Sequence, residues 1–457
     1  MDLPQQRLFS NKRLVMLIAP LILEQSLGFL VGMVDSVIVS SVSEAAMSGV
    51  SLVANIAGVI LTLFAAMTAG GAVVTSQFLG ARKKESARHS AGQLVTLSTG
   101  VAVALMIVCL LFSKGMLRAC FGNVEQDVMD AAVSYFRYSA YSYPFIAVYN
   151  AFVAILRANG DSKTSFYVSM LKNVINLIGN MICIYGLGMG VEGVAIPTLL
   201  SRIIGAVVIM LIAMNKRQPL RPKMADFIRI DGKLINRILR IGMPSALENS
   251  LFQLGRVATL SMITAFGTYQ IAANSTANSL VSIVMTTVTA FHVASLTVIG
   301  QCVGARDMAQ IKGYFRKLIG WSYLIHGVVA VIFIVFRYQI VSIYKNLSPE
   351  TLELTAKLMC IYLFSAIPLY PLAFFINGPL RATNDSAFPM WSSIFSMGVF
   401  RLGLAVILCV KLGWGAAGVW WAMVADWVFR SICYTARWCS GAWKKKCGMH
   451  EKSLISE

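Results

Sequence analysis

The sequence predicts an all-α integral membrane protein in which twelve transmembrane helices form two six-helix lobes. Hydrophobic residues make up 57% of the 457 residues and charged residues only 13%, whereas soluble domains average about 25% charged. The apolar residues come in blocks of about twenty, the length at which a helix crosses a bilayer. Such blocks are helices, because only helices and closed barrels satisfy the backbone in lipid. A third observation, an internal repeat, predicts the two lobes.

The predicted helices and the charges between them define a topology. Twelve apolar spans are predicted, at residues 14–40, 49–76, 91–113, 131–156, 165–187, 191–214, 237–265, 275–300, 315–337, 357–380, 388–410 and 415–438. Basic residues concentrate at both ends of the chain and in the even-numbered connections, for example Arg82, Lys83 and Lys84. Because cytoplasmic loops carry the excess of Lys and Arg, we expect a multi-pass protein of the cell (plasma) membrane with both termini in the cytoplasm.

The first span contains two acids and a proline. Glu24 and Asp35 are eleven residues apart, which returns to nearly the same face of a helix. Carboxylates in a membrane helix usually face an interior cavity, so the pair predicts a titratable stripe on that face. Pro20 lies one turn before Glu24 and removes a backbone hydrogen bond, which allows a kink.

The second half of the sequence repeats the first at an offset of 224 residues. Pro20 and Glu24 then match Pro244 and Glu248. The same offset aligns other polar positions, namely Gln77, Gly80, Ala81 and Arg82 with Gln301, Gly304, Ala305 and Arg306, and Arg157 and Asp161 with Arg381 and Asp385. Apolar composition alone does not produce matches of Pro, Glu, Gln, Arg and Asp.

The repeat and the longest charged connection predict the domain limits. We expect an N-lobe at 1–220, a cytoplasmic linker at 221–236 and a C-lobe at 237–457. Six spans in each lobe give the two repeats the same orientation, related by an axis along the membrane normal. In proteins built this way the transport site lies at the interface of the repeats.

These features resemble one family, the multidrug and toxic compound extrusion (MATE) transporters of bacterial type. The resemblance rests on the two Gln-x-x-Gly-Ala-Arg loops, on Arg-Ala-x-Gly-Asp at 157–161, on Val-Asp-Ser at 34–36 and on Asn176-x-x-x-Asn180. It covers nearly the whole chain. The resemblance implies a secondary active antiporter that exports organic cations and drugs in exchange for H⁺ or Na⁺ by alternating access.

The resemblance also implies a cation site in the N-lobe. Asp35, Asn176 and Thr198 match its expected residues, and Asn180 stands where many bacterial members carry Asp. That departure leaves one carboxylate, so a carbonyl oxygen can still coordinate a cation but compensates less charge. Asp35 is then the coupling group, and the metal ligand if the ion is Na⁺. The competing interpretation is a buried acid that stabilises helix packing.

Other embedded polar residues are candidates for a substrate cavity, and each has a structural alternative. The candidates are Glu24, Gln25, Glu248, Asn249, Tyr149 and Asp426. The two glutamates flank a central cavity or bond backbone groups freed by the prolines. Asp426 has a C-lobe role or pairs with Arg430, one turn away. Tyr149 stacks on organic cations or belongs to an interfacial aromatic belt.

The same polar pattern continues on the fifth helix. Lys172, Asn176 and Asn180 are spaced four residues apart, so they share one face. This stripe lines the cation site or joins neighbouring helices by hydrogen bonds. Lys172 is expected near the cytoplasmic end, with its ammonium group at the membrane surface.

Several other classes of protein fit poorly. The net charge of +19 comes from short loops, which argues against a nucleic-acid partner. The sequence has no Gly-Lys-Ser/Thr phosphate loop, which argues against an ATP-driven pump. It also has no clustered His/Asp or Ser/His groups, which argues against a membrane enzyme. We therefore expect no cofactor beyond the coupling ion. The alternative is a lipid-linked precursor flippase of related architecture. The expected partners are small organic cations and the lipid bilayer, and the expected state is a monomer.

Overall fold

The structure is a computed structural model that describes residues 7–122, 125–216, 218–344 and 347–448. Within these residues every regular element is a helix. The twelve long helices are α1 (Asn11–Ser40), α2 (Glu44–Gly80), α3 (Lys84–Phe121), α4 (Gln126–Ala158), α5 (Ser162–Gly186), α6 (Glu192–Ala213), α7 (Gly232–Ile263), α8 (Thr268–Gly304), α9 (Met308–Val335), α10 (Pro349–Ala382), α11 (Ala387–Lys411) and α12 (Gly415–Cys439). Each predicted span overlaps one of them.

Length and composition separate two of these helices from the rest. Among the described residues, ten helices are long and apolar enough to cross a membrane. The other two long helices are α7 and α12, with 32 and 25 residues. Their charged residues, including Glu248 and Arg256 on α7 and Asp426 and Arg430 on α12, explain their lower apolar character. Together the two groups give the predicted twelve.

Contacts divide the described residues into two compact units, a first unit of Phe9–Ala246 and a second unit of residues 247–448 together with Arg7 and Leu8. The boundary falls inside α7, two residues after Pro244, and not in the predicted linker. Most of that linker packs on the first unit. The limits 1–220 and 237–457 stay a prediction for the lobes.

The internal repeat is visible in the backbone. Both α2 and α8 have 37 residues, and they begin at Glu44 and Thr268, which are 224 positions apart. Each helix is followed by an arginine with positive φ, 57° at Arg82 and 55° at Arg306. Positive φ is uncommon outside glycine, so its recurrence at the same offset shows that the two units share this loop geometry.

Helix α4 is the central helix of the first unit, packed between α2, α3 and α6. Its aromatic rings Phe136 and Tyr143 are fully buried, and the fully buried Ala140 lies between them. Helix α2 approaches closely at Gly49, where a Cβ atom would lie 2.8 Å from the Ala132 nitrogen. This tight core fixes α2 and α6 against α4, and α1 packs in turn on α2 and α5.

A short helix in the linker, Met224–Ile228, docks on α3. Gln93 donates from Nε2 to the carbonyl oxygens of Asp226 and Arg229 at 2.9 and 2.7 Å. Arg88 Nε donates to Asp226 Oδ2 at 2.9 Å. Burial alone would raise the pKa of Asp226, but hydrogen bonds from the Lys223 backbone N–H and from Arg88 hold the pKa below its usual value. The linker is therefore anchored by charge and by backbone hydrogen bonds.

The second unit is built around α8, which packs against α9 and α10. Aromatic rings fill the space between α10 and α12. Trp427 meets Tyr362 and Tyr370 edge to face, with ring centroids 5.1 and 5.3 Å apart. Beside this aromatic core lie the buried acids Glu248 and Asp426.

Candidate functional site

The four residues of the predicted cation site lie together in the first unit. Helix α1 supplies Asp35, α5 supplies Asn176 and Asn180, and α6 supplies Thr198. Asn180 donates from Nδ2 to Asp35 Oδ1 at 3.0 Å. With its amide nitrogen turned toward Asp35, Asn176 donates to both carboxylate oxygens at 3.2 and 3.1 Å and accepts from the Thr198 hydroxyl at 3.0 Å. This orientation satisfies both ends of the amide, since in the reverse orientation its oxygen would face only acceptors.

One oxygen atom of this cluster lacks a partner. Asn180 is fully buried, and its Oδ1 has no hydrogen-bond donor among the described residues. Nearly all buried polar atoms in proteins are hydrogen-bonded, so an exception requires an explanation. Amide, carboxylate and hydroxyl oxygens, which this cluster contains, are the ligand types that a hard cation takes. The cluster of Asp35, Asn176, Asn180 and Thr198 is called the Asp35 cluster below.

The Asp35 cluster borders a cavity of about 290 Å³ within the first unit. Three members, Asp35, Asn176 and Thr198, line it, while Asn180 lies behind them. The remaining wall combines polar residues, among them Ser51, Asn173 and Ser201, with a group of mostly apolar side chains, namely Val31, Val39, Met47, Val50, Tyr135 and Val194. A small amphipathic molecule therefore finds both apolar surface and charge in this cavity, which is the usual composition of a ligand site.

Two basic side chains also line the cavity. Lys172 does not extend to a helix end as expected; it lies in the cavity wall, with its ammonium nitrogen 4.8 Å from the centre of the Tyr149 ring. The ring of Tyr149 therefore contacts a cation of the protein, the Lys172 ammonium group. Arg202 on α6 donates from Nη1 to the Ser142 hydroxyl at 2.6 Å. Sequence reasoning did not single out Arg202, although it is four residues after Thr198 and hence on the same helix face.

The two repeat-related glutamates form ion pairs with repeat-related arginines. Glu24 accepts from Arg157 at 2.6 Å, and Glu248 accepts from Arg381 at 2.7 Å. Each pair joins α1 or α7 to the C-terminal end of another helix, α4 or α10. The two glutamates are 224 residues apart in the sequence, and so are the two arginines. The bonds are with side chains, not with backbone freed by the prolines. Glu248 also accepts from Asn377 at 3.0 Å and from Ser393 at 2.7 Å.

Asp426 lies in a buried charge network of the second unit. It accepts from Arg430 Nε at 2.8 Å, which is the intrahelical pair that the spacing predicted. Arg401 Nη1 lies 3.5 Å from its other oxygen, Oδ2, and the Ser396 hydroxyl donates to Oδ1, the oxygen that Arg430 contacts. Arg430 also lies 3.9 Å from Glu248, so the two acids share one arginine.

The remaining candidates are outside these clusters. Gln25 and Asn249 are half-buried, and neither side chain forms a hydrogen bond with the described residues. Gln25 does not line the cavity beside the Asp35 cluster. Of the predicted residues, the structure therefore assembles the four of the cation site in one place, and it places Glu24, Glu248 and Asp426 in ion pairs.

A sequence profile of the family described as MatE matches residues 20–182 and, a second time, residues 244–407. The chain belongs to the MatE family of MATE transporters. The two matches begin 224 residues apart, which is the offset of the internal repeat. The predicted fold class, an all-α membrane protein with twelve helices in two lobes, is confirmed as the MATE layout.

Proteins similar to this MATE transporter span its length. It is 27% identical over 445 residues to a probable multidrug resistance protein NorM of Thermotoga maritima, with 95% of this chain and 94% of that protein covered. It is 26% identical to the probable multidrug resistance protein YoeA of Bacillus subtilis, with 94% and 93% covered. A MATE crystal structure in complex with MaL6 superposes with a TM-score of 0.89 at 23% identity, covering 95% of this chain and 97% of that one. This structural similarity shows that the two proteins have the same fold.

Family membership decides between the classes considered for the sequence. The chain is a multi-pass membrane transporter, as MATE proteins are, which fits the expectation that it is not an enzyme. The flippase alternative is not favoured.

Proposed function

We propose that this MATE transporter is a secondary active antiporter that exports small drug-like molecules bearing a cationic group in exchange for H⁺ or Na⁺. The names of its relatives, multidrug resistance proteins, support drug-like cargo. In transporters built from two such repeats, the cargo site opens alternately to the two sides of the membrane, and this alternation would carry the cargo across.

The observation that carries this proposal is the Asp35 cluster. Among the described residues, Asp35 is the one acid that lines the cavity, and the hydrogen bonds that its oxygens accept there come from the amides of Asn176 and Asn180. Glu24, by contrast, is already paired with Arg157. A single carboxylate binds one cation strongly at a time, either the coupling ion or the cationic group of the cargo. Mutual exclusion at one site is the physical basis of exchange, because each ligand lowers the affinity of the other.

The residues present fit either coupling ion. A proton would bind an oxygen of Asp35, where the amides of Asn176 and Asn180 retain hydrogen bonds to the acid. A sodium ion would take oxygen ligands from Asp35, from the Thr198 hydroxyl and from Asn180, whose Oδ1 lacks a donor among the described residues. One carboxylate compensates the charge of one monovalent ion, so we propose one coupling ion per Asp35 cluster.

Purified protein in sealed vesicles tests this function. A fluorescent drug-like molecule that bears both a cationic group and a carboxylate is loaded, and in a parallel experiment one that bears the cationic group alone; the movement of each is followed under an imposed pH gradient, an imposed Na⁺ gradient or neither. We expect movement against the concentration of the cargo with one of the gradients, and its loss when an ionophore collapses that gradient. Movement that is the same without any gradient would contradict antiport, and movement of lipid-linked pyrophosphates instead would indicate the flippase.

A further inference from the structure

The cavity beside the Asp35 cluster has more positive than negative charge. Lys172, Arg202 and Asp35 line it, which gives a formal charge of +1. Two amide groups donate to the Asp35 carboxylate, at 3.0 Å from Asn180 and at 3.1 and 3.2 Å from Asn176. In the described part of the chain, neither Lys172 nor Arg202 has a carboxylate within ion-pair distance. The positive charge of the two basic groups therefore exceeds the negative charge of the one acid among the described residues that line the cavity.

These basic groups also have unused hydrogen-bond donors. The Lys172 ammonium group has three donors, and its one described contact is the face of the Tyr149 ring. The Arg202 guanidinium has five donors, and within the described residues one of them is used, toward the Ser142 hydroxyl at 2.6 Å. Cations with free donors that face a cavity are the groups that recognise carboxylates and phosphates.

The charges are arranged in two layers along the helices. On α5, Lys172 is one turn before Asn176, and on α6, Arg202 is one turn after Thr198. The two helices are antiparallel, because Gly179 contacts Pro197 while Lys172 contacts Gly205. Lys172 and Arg202 are therefore displaced toward the same end of the helix pair. One helical turn places this basic layer about 6 Å, along the helix axes, from the layer of Asp35, Asn176 and Thr198.

We infer that the cargo of this cavity is a small zwitterion, whose ammonium group binds Asp35 and whose carboxylate binds Lys172 and Arg202. This inference rests on the proposed antiport function and names its substrate class. A purely cationic cargo would leave the two basic groups unpaired and would be repelled by them. A purely anionic cargo would leave Asp35 free and would not compete with the coupling ion. A zwitterion forms ion pairs with both layers, and its ammonium group still excludes the coupling ion from Asp35.

Three matched probes test the inference in the purified full-length protein. The probes are 4-(aminomethyl)benzoic acid, its methyl ester and 4-methylbenzoic acid, which are a zwitterion, a cation and an anion on one benzene ring. Affinities are measured by calorimetry in detergent micelles with no ion gradient. We expect the zwitterion to bind at least about tenfold more tightly than either other probe, as the loss of one charge-assisted hydrogen bond predicts.

Variants assign the preference to the two basic residues. Lys172→Gln and Arg202→Gln are each expected to weaken the zwitterion about tenfold and to leave the ester unchanged or tighter. Lys163→Gln, on α5 but exposed, and Arg118→Gln, exposed at the end of α3, are the matched controls and should bind all probes as the unchanged protein does.

Two results would overturn the inference. One is an ester that binds as tightly as the zwitterion in the unchanged protein, a comparison that decides the matter even if a variant does not fold. The other is a folded Lys172→Gln that behaves like Lys163→Gln. Because these measurements use no gradient, preference for the ester together with gradient-driven export would refute the substrate class alone. Preference for the zwitterion without any gradient-driven export would refute the antiport function alone.

Discussion

Removing the charge of Glu248 tests the energetic role of the repeat-related ion pairs. In Glu248→Gln the side chain keeps its shape, but Arg381 loses its carboxylate. The two partners are 2.7 Å apart, and their side chains are 7% and 6% exposed. The buried network then changes from three arginines with two acids to three arginines with one, since Arg401 and Arg430 share Asp426. Unpairing a buried charge costs about 3–5 kcal/mol, so the free energy of unfolding should fall by that amount.

The matching change in the first unit should cost less. Glu24 and Arg157 are 10% and 17% exposed, so water compensates part of the lost charge. We expect Glu24→Gln to lower the free energy of unfolding by about 1–3 kcal/mol, the usual range for losing a hydrogen bond to a charged group. The ranking of the two variants therefore follows the burial of the two pairs.

The assay is unfolding in mixed micelles by titration with sodium dodecyl sulfate, followed by tryptophan fluorescence. Glu85→Gln is the control, because that carboxylate is 89% exposed and 4.0 Å from Arg88, and it should not change stability. Adding Arg381→Met to Glu248→Gln removes the unpaired cation and should restore at least half of the loss. The reasoning is refuted if Glu248→Gln unfolds like the unchanged protein, or if the double variant is no more stable than the single one.

Three further predictions address the cation site, the linker and the topology. Asn180→Asp adds a second carboxylate beside Asp35 and should strengthen the Na⁺ dependence of transport in vesicles. Asp226→Asn removes the charged contact with Arg88 and should lower the free energy of unfolding by about 1–3 kcal/mol at pH 7. Because the folded state lowers this pKa, the contribution is complete above about pH 4 and is lost as the pH falls further. Single cysteines at Lys83 and Lys312 should both resist an impermeant maleimide added outside whole cells.

Each of these has a contrary outcome. Unchanged Na⁺ dependence in Asn180→Asp would exclude Asn180 from the cation site. If the stability difference between Asp226→Asn and the unchanged protein does not shrink as the pH is lowered below about 4, the charge is not responsible. Labelling of one cysteine and not the other, in a background without the nine native cysteines, would contradict repeats of the same orientation.

The fold was predictable because its signals are local or periodic. Blocks of apolar residues predicted the helices, and the offset of 224 predicted equivalent segments such as the loops at Arg82 and Arg306, which share a positive φ. The family resemblance predicted that Asp35, Asn176, Asn180 and Thr198 would meet. The helix ends were less predictable, because α2 and α8 extend beyond both ends of their predicted apolar blocks.

The partners of the embedded charges were not predictable from spacing. Glu24 and Arg157 are 133 residues apart, and alignment of the repeat showed that each has a counterpart without showing that they touch. The Asp426–Arg430 pair was found because it lies within one helix turn. Lys172 was expected at the membrane surface because long basic side chains usually reach it, and only the packing of α5 against α6 shows that its ammonium group faces a cavity. Arg202 carried no motif.

The most direct test of the central claim is transport by Asp35→Asn. The amide nearly preserves the shape of the acid and is no costlier to bury, so folding and expression should be normal, but the site no longer gains or loses a charge. Purified protein is compared in sealed vesicles under the gradient that drives the unchanged transporter, with the exposed Asp130→Asn as control. We predict that Asp35→Asn transports at background rate while Asp130→Asn transports normally. Transport by Asp35→Asn at a near-normal rate under the same gradient would contradict the claim that Asp35 couples the ion to the cargo.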